Sequence, residues 1–471
     1  MLRSGGLVLA ANLVDVAAIL LRNIILARLL PVDQFGLAAT FSILMTMVET
    51  FQNVGINRLV VQDARADDLR FVASLHGAQL VVSIAAALLL AGAAYPFALA
   101  MGTPALASAY LLLAAVPLAN AFLNLEGFRV QRHGQFGPQV LRSFLSQPIG
   151  LLAIFPGFWW LGDHRAALFA IIAQQSAAVI LTHVHVRQRF RIDFDGAVLR
   201  AALAFGWPLV ANGLLMFLIL NGDRIIVLQR FGPAALGWFS AAVMLTLTPA
   251  NLIAKSLQTL TLPLLAKANG DPPRFQRIYD GVCSATACTA LALVIGTLIL
   301  GDVVIALLFG AKFMPAATFL AALACMNALR LLRVAPTIAA MACGETRNPL
   351  YANLVRGMGV PIAIAAAAMT GAIEPMILAG VVAEFAGAIT AGVLAHRHAQ
   401  IGGAYYQQLL LLLGLCLVAA LSITWVSALG WLLLGPLAAI LLLRCAAGAQ
   451  LPPPFSIFRF TPTSWGRSHR T

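Results

Sequence analysis

The sequence predicts an all-α polytopic membrane protein of about fourteen transmembrane helices, arranged as two pseudo-symmetric six-helix lobes plus two C-terminal helices. Three observations carry this expectation. Of the 471 residues, 61% are hydrophobic and only 10% are charged, and the mean hydropathy is +0.91, which describes a surface facing mostly lipid. Apolar segments of about 20 residues, long enough to cross roughly 30 Å of hydrocarbon, recur from end to end. Finally, Arg22-Asn-Ile-Ile-Leu-Ala-Arg28-Leu-Leu-Pro31 returns 202 residues later as Arg224-Ile-Ile-Val-Leu-Gln-Arg230-Phe-Gly-Pro233 with five of ten positions identical, and Gly36 and Gly237 follow the two copies. Both copies end an odd-numbered helix and run in the same direction, so the repeat is a parallel duplication.

Along the chain, helix one (6–29) is interrupted by Asp15 and runs on into Arg22 without a small-residue cleavage site, which favours a membrane helix over a cleaved signal peptide. Its Asn12, Asp15 and Arg22 form one polar stripe that lipid would reject. Helix two (36–56) carries Glu49 and Asn53 as candidate partners. Helices three (73–97), four (105–125), five (138–160) and six (166–186) complete the first lobe, and Arg142 in helix five lies near the inner surface. Helices seven (200–222) and eight (234–257) open the second lobe. Arg224, with Asp223 beside it, matches Arg22 in depth, so the pair is expected to line a common vestibule, with snorkelling outward as the alternative. Lys255 with Asn251 and Gln258 makes a stripe near the inner end of helix eight. Helices nine (277–300), ten (316–342), eleven (350–370) and twelve (375–395) follow, with Arg356 in helix eleven at a depth like that of Arg142, suggesting an inner basic rim. Helices thirteen (405–426) and fourteen (429–448) close the membrane part. The predicted divisions are 1–196, 197–400, 401–449 and a Pro-rich, basic cytoplasmic tail, 450–471.

Alternate loops differ sharply in charge. With the N-terminus inside, cytoplasmic segments hold nineteen Lys and Arg, among them Arg58, Arg65, Arg129, Arg189, Arg274 and Arg397, while the opposite side holds only Arg165, Arg230 and Lys312. This bias places both termini in the cytoplasm. The net charge of +13 is then topology signal and contact with anionic lipid, and needs no nucleic acid. External loops are too short to hold a soluble domain.

The strongest functional signal is Arg330 and Arg333, three residues apart inside helix ten. A guanidinium at the bilayer centre costs roughly 2.5–3.5 kcal/mol on insertion scales. Two on one face imply a shared anion or a water-filled cavity, or else pairing with a carboxylate on a neighbouring helix such as Glu384. Other features carry little chemistry. Asp193-Phe194-Asp195 is a lone D-x-D for which a helix N-cap suffices. His183/His185 and His396/His398 are spaced by two and cannot chelate from one helix face. The six cysteines show no C-x-x-C or metal-ligand spacing. No P-loop, dinucleotide fingerprint, G-x-S-x-G or H-E-x-x-H occurs, so neither a hydrolytic enzyme nor an ATP-driven pump is indicated, and no resident cofactor or metal is expected.

Ala27-Arg28-Leu29-Leu30-Pro31 through Phe35-Gly36, Asn221-Gly222-Asp223-Arg224-Ile225-Ile226 through Leu236-Gly237-Trp238, and Leu308-Phe309-Gly310 with Lys312-Phe313 resemble the polysaccharide exporters, or O-antigen flippases, of the multidrug/oligosaccharidyl-lipid/polysaccharide superfamily. Trp238 departs from the tyrosine frequent there. The resemblance implies a V-shaped pair of six-helix bundles around a central cavity in a bacterial inner membrane. Its implied substrate is a polyprenyl-diphosphate-linked oligosaccharide repeat unit, flipped by alternating access for O-antigen, capsule or exopolysaccharide synthesis, with a polymerase and export components as partners. A diphosphate suits guanidiniums: Arg330 and Arg333 first, then Arg22 and Arg224, with Asn120, Asn124, Asn212 and Asn327 for sugar hydroxyls. Asp15, Glu49, Asp223 and Glu384 are candidates for coupling to H⁺ or Na⁺, or for structural pairing. Moving an anion outward is itself favoured by about 2.3 kcal/mol per charge per 100 mV, so a coupling ion is not obligatory. A peptidoglycan lipid II flippase is the alternative, and a drug exporter of the same superfamily a weaker one.

Overall fold

A computed structural model describes residues 2–184, 189–345, 347–399, 404–424 and 439–440. It is all-helical, and thirteen of the fourteen predicted spans have a counterpart among the described residues. They are α1 (Leu2–Leu29), α2 (Val32–Gln52), α3 (Leu69–Ala100), α4 (Pro104–Asn120), α5 (Gly137–Leu161) and α6 (Arg165–Val184). The continuous helix Gly196–Ala268 supplies α7 (196–231) and α8 (233–268), divided at Gly232. Then follow α9 (Pro272–Leu308), α10 (Ala311–Ala342), α11 (Arg347–Thr370), α12 (Glu374–Ala399) and α13 (Ala404–Thr424). The predicted fourteenth helix and the tail lie outside the described residues, as do the side chains of Asn12, His185 and His398.

The α7–α8 connection collapses to one residue because Gly232 adopts φ 83°, ψ 179°, a conformation that favours glycine, and Pro233 restarts the helix. Asp223 and Arg224, just past the predicted end of helix seven at residue 222, therefore sit inside α7.

Three spans expected to be continuous are broken, each three or four residues before a proline, whose ring would collide with the carbonyl four residues back. In α4 the helix slackens at Leu113–Ala114 ahead of Pro117 and ends at Asn120, with Glu126–Arg132 a separate helix. In α10 the break at Arg333 separates Ala317–Leu332 from Val334–Ala342 ahead of Pro336. In α11 it falls at Met358, ahead of Pro361.

α1 packs on α5, α5 on α6, and α4 on α3 and α6; in the second lobe α9 packs on α10, and α12 on α10 and α11. α13 lies against α9 and α10. The lobes meet chiefly where α2 runs along α7 and α8. The linker between them carries the predicted N-cap, the Asp195 carboxylate accepting from Ala197 N at 2.7 Å. Two short helices, Ile56–Gln62 and Ala64–Asp67, join α2 to α3 on the Arg-rich side. There Arg65 hydrogen-bonds Asp63 at 2.8 Å and holds its carboxyl below the usual carboxylate range.

Candidate functional site

Two cavities adjoin, one between the lobes and one within the first lobe. One, of about 310 Å³, is lined from the first lobe by Arg22, Asn23, Ser42, Thr46, Glu49, Gln174 and Gln175, and from the second by Arg224, Ser240, Met244 and Thr248. The other, of about 320 Å³, is lined by Gln52, Asn53, Gly55, Asn57, Gln79, Ser83, Asn120, Leu123 and Arg142. Glu49 and Gln175 line both, so the two share a wall. The second reaches the Arg-rich end of α2. Polar groups at this depth in a membrane must face protein or water.

Each lobe contributes one arginine to the 310 Å³ cavity. Arg22 donates to Gln174 Oε1 at 3.0 Å; Gln174 donates to Gln147 Oε1 at 3.1 Å, and Gln147 to Asp15 Oδ1 at 3.0 Å. Asp15 and Arg22 of the predicted stripe thus face α5 and α6, and a relay of two glutamines joins them. Arg22 also interacts electrostatically with Glu49. Arg224, its repeat mate, has Asp223 as charged neighbour, and its buried Nε has no hydrogen-bond partner among the described residues. A guanidinium with an open donor beside a cavity is equipped to take an anionic oxygen.

Arg330 and Arg333 are elsewhere. Arg330 donates to Glu384 Oε1 through Nε at 2.9 Å and through a terminal nitrogen at 2.6 Å, and to Asn327 Oδ1 at 3.1 Å. Arg356 donates to the same carboxylate oxygen at 2.5 Å and to Asn353 at 2.8 Å. Arg333 lies 4.0 Å from Glu384 Oε2. This cluster is buried among α10, α11 and α12 of the second lobe, and voids of about 10 and 20 Å³ lie beside it, the smaller shared with Arg224. Of the two alternatives for the arginine pair, the structure contains the ion pair with Glu384. Neither arginine lines the two large cavities, and the expectation that they do is corrected accordingly.

Other expectations divide similarly. Asn120 lines the 320 Å³ cavity, as does Arg142, whereas Arg356 is buried on Glu384 and forms no rim with it. Lys255 is exposed on α8. Asn327 is fully buried, donating to Thr246 Oγ1 at 3.1 Å. Asn124 caps the helix Glu126–Arg132 by accepting from Glu126 N at 2.9 Å. Asp223 faces the small void beside Arg330. The lining glutamines Gln52, Gln79, Gln174 and Gln175 were not anticipated; the signal available was four carboxamides inside otherwise apolar spans.

On the side away from the Arg-rich loops the lobes are shut. A Cβ on Gly36 would collide with the Pro233 carbonyl, and one on Gly237 with the Val32 carbonyl: each glycine meets the carbonyl four residues before the other. Phe35 packs edge-on to Phe313 at 5.3 Å. The helix ends are also exchanged. Arg28 donates to the Leu308 carbonyl at 2.9 Å and to that of Leu307, at the end of α9, while Lys312 donates to Leu30 O at 2.6 Å, at the end of α1. Cations there complement both the orphan carbonyls and the helix dipole. Replacing Gly36 by Leu is expected to hold this seal open. Labelling of a cysteine at Ser42 by an impermeant thiol reagent from the Lys312 side, in a cysteine-free background, should then rise several-fold; unchanged labelling would mean that the seal tolerates the side chain.

A family model described as polysaccharide biosynthesis protein matches residues 25–318. A comparison with curated protein sequences finds no match. Among solved structures, the chain is similar to a multidrug resistance MATE family transporter in an inward-facing conformation (16% identity, TM-score 0.68, 83% of this chain and 96% of that one). It is also similar to the lipid II flippase MurJ in an inward closed conformation (13%, 0.68, 93% and 97%). A MATE family transporter in an outward-facing conformation matches with 16% identity and a TM-score of 0.56, over 86% and 96%.

Proposed function

Because the chain belongs to the polysaccharide biosynthesis protein family, among the exporters and flippases of the multidrug/oligosaccharidyl-lipid/polysaccharide superfamily, we propose that it flips a polyprenyl-diphosphate-linked oligosaccharide across a bacterial inner membrane. The direction is from the cytoplasmic to the outer leaflet, and the product feeds surface-polysaccharide assembly. The observation that carries this reading is the pair Arg22 and Arg224, one from each lobe, on the wall of one cavity. A diphosphate held between them is gripped by both halves of the molecule and must be released when the halves separate.

The Arg-rich side is assigned to the cytoplasm by its charge. The described conformation, shut at Gly36 and Gly237 with a cavity reaching the Arg-rich end of α2, is the one that loads substrate. Rocking the lobes would break the contacts of Arg28 and Lys312, open the seal and expose the same cavity outward. The polyprenyl tail stays in lipid between helices, so only the headgroup needs a polar path.

Deleting the protein tests this directly. A lipid-linked saccharide is expected to accumulate on the cytoplasmic leaflet, inaccessible to an impermeant sugar oxidant applied from outside, and expression of the wild-type chain should clear it. Accumulation of the peptidoglycan precursor instead would assign the protein to that substrate, and accumulation of no lipid-linked sugar would remove the flippase reading.

A further inference from the structure

The most polar wall of the site belongs to the first lobe alone. Gln52 on α2 donates to Ser83 on α3 at 3.2 Å and accepts from Asn120 on α4 at 3.1 Å, and Gln175 on α6 donates to Asn120 Oδ1 at 2.7 Å. Four helices are thus joined by a chain of three carboxamides and one hydroxyl along the 320 Å³ cavity. Each primary amide has two N–H groups and two lone pairs, so the chain fixes every amide in place and still leaves donor and acceptor capacity for a ligand.

A second observation points to the same place. α4 stops at Asn120, and the backbone turns irregularly before Glu126. Gln79 Nε2 binds the freed carbonyls of Asn120 at 2.6 Å and Leu123 at 3.2 Å, and His183 pairs with the Phe122 carbonyl at 2.7 Å. Leu123 itself lines the cavity. Interrupted helices within a membrane protein are tolerated where the backbone is buried in protein or lines a water-filled cavity, and in transporters they commonly mark the place where ligand binds. Gln79 lies ten residues inside the start of α3, so the break is recessed from the Arg-rich end. A cavity of about 320 Å³ is within the usual range of small-ligand sites.

Charge narrows the ligand. The cavity arginines each have an acidic neighbour: Arg22 has Glu49, Arg142 has Asp15 and Arg224 has Asp223. The wall therefore carries little net positive charge, and a diphosphate uses what attraction there is at Arg22 and Arg224. A further carboxylate, as on a uronic acid, would enter beside Glu49, where the one arginine on that wall, Arg142, already interacts with Asp15. We propose that the break in α4 and the chain Ser83–Gln52–Asn120–Gln175 form a first-lobe subsite for uncharged sugar groups, hydroxyl and acetamido, next to the diphosphate. The inference rests on the flippase reading above. It makes headgroup recognition one-sided: from the second lobe the 310 Å³ cavity receives only Arg224, Ser240, Thr248 and three apolar side chains, so that lobe grips the diphosphate and is indifferent to the sugar.

The test uses the full chain in lipid nanodiscs and three probes: farnesyl diphosphate, its N-acetylglucosamine ester and its glucuronic acid ester, with binding measured calorimetrically. The acetamido sugar should tighten binding about tenfold over farnesyl diphosphate, as two or three well-placed hydrogen bonds would, and the glucuronic ester should show no such gain. In Asn120→Leu and Gln175→Leu the gain, expressed as the ratio of the two affinities within each variant, should vanish, while Gln175→Asn should recover part of it. Equal affinity of the wild-type chain for all three probes overturns the inference and requires no folded variant. So does a gain that survives both leucine substitutions, or a glucuronic ester that binds best. Failure of farnesyl diphosphate to bind in a manner sensitive to Arg224→Gln would instead remove the flippase reading, whatever the sugars do.

Discussion

Replacing Arg22 and Arg224 together with Gln is expected to lower export of the lipid-linked saccharide about 100-fold or more, with the protein still present in the membrane at its normal level. Glutamine keeps a polar side chain of similar reach but removes the charge. A hydrogen bond to a charged group contributes about 1.5–3 kcal/mol, so two such losses correspond to roughly 10²–10⁴ in affinity for the transported anion. Each single substitution should cost about the square root of the double. Neither should destabilise the fold: Arg22 is held by a glutamine, and Arg224 already has an unpaired buried donor. The check is surface polysaccharide per cell against membrane level of the protein. Export above half the wild-type rate in the double variant would mean that the cavity arginines do not hold the substrate.

Glu384→Gln should have the other large effect, on stability. One carboxylate there accepts from Arg330 and Arg356 and lies within ion-pair distance of Arg333. Removing one partner of a buried ionic group leaves the others uncompensated and costs about 3–5 kcal/mol; here three cations are left. The protein should be largely lost from the membrane, and any purified material should melt well below wild type. Arg330→Gln should be milder, since Glu384 keeps Arg356, and the Arg330→Gln, Arg333→Gln double variant should lose export only in step with protein. A Glu384→Gln protein of normal level and melting temperature that exports nothing would instead place the cluster in the transport path.

This contrast shows what the sequence could and could not reveal. Arg22 and Arg224 were recognisable as a pair because a duplication places them at equal depth in two lobes, and two lobes can share a cavity. Arg330 and Arg333 were the more conspicuous residues, yet helical spacing fixes only that they share a face, not whether that face points at the other lobe or into its own bundle. Glu384 decided the matter, and its approach depends on how α12 packs. The kinks had a local cause visible in Pro117, Pro336 and Pro361, but where a span ends depends on what receives its last carbonyls; for α4 those of Asn120 and Leu123 go to Gln79 on another helix. The amide chain was least legible, because glutamine inside an apolar helix is common and only the assembled wall of four helices gives it meaning.

The contact between Gly36 and Gly237 has a consequence for how such a molecule can change over time. Both partners are already at the smallest size a residue can have, so an enlargement on either side has no compensating reduction on the other. Elsewhere the two lobes differ freely, one lined with amides and the other holding an ion cluster. At this crossing neither half can change size alone, because bare backbone already meets bare backbone.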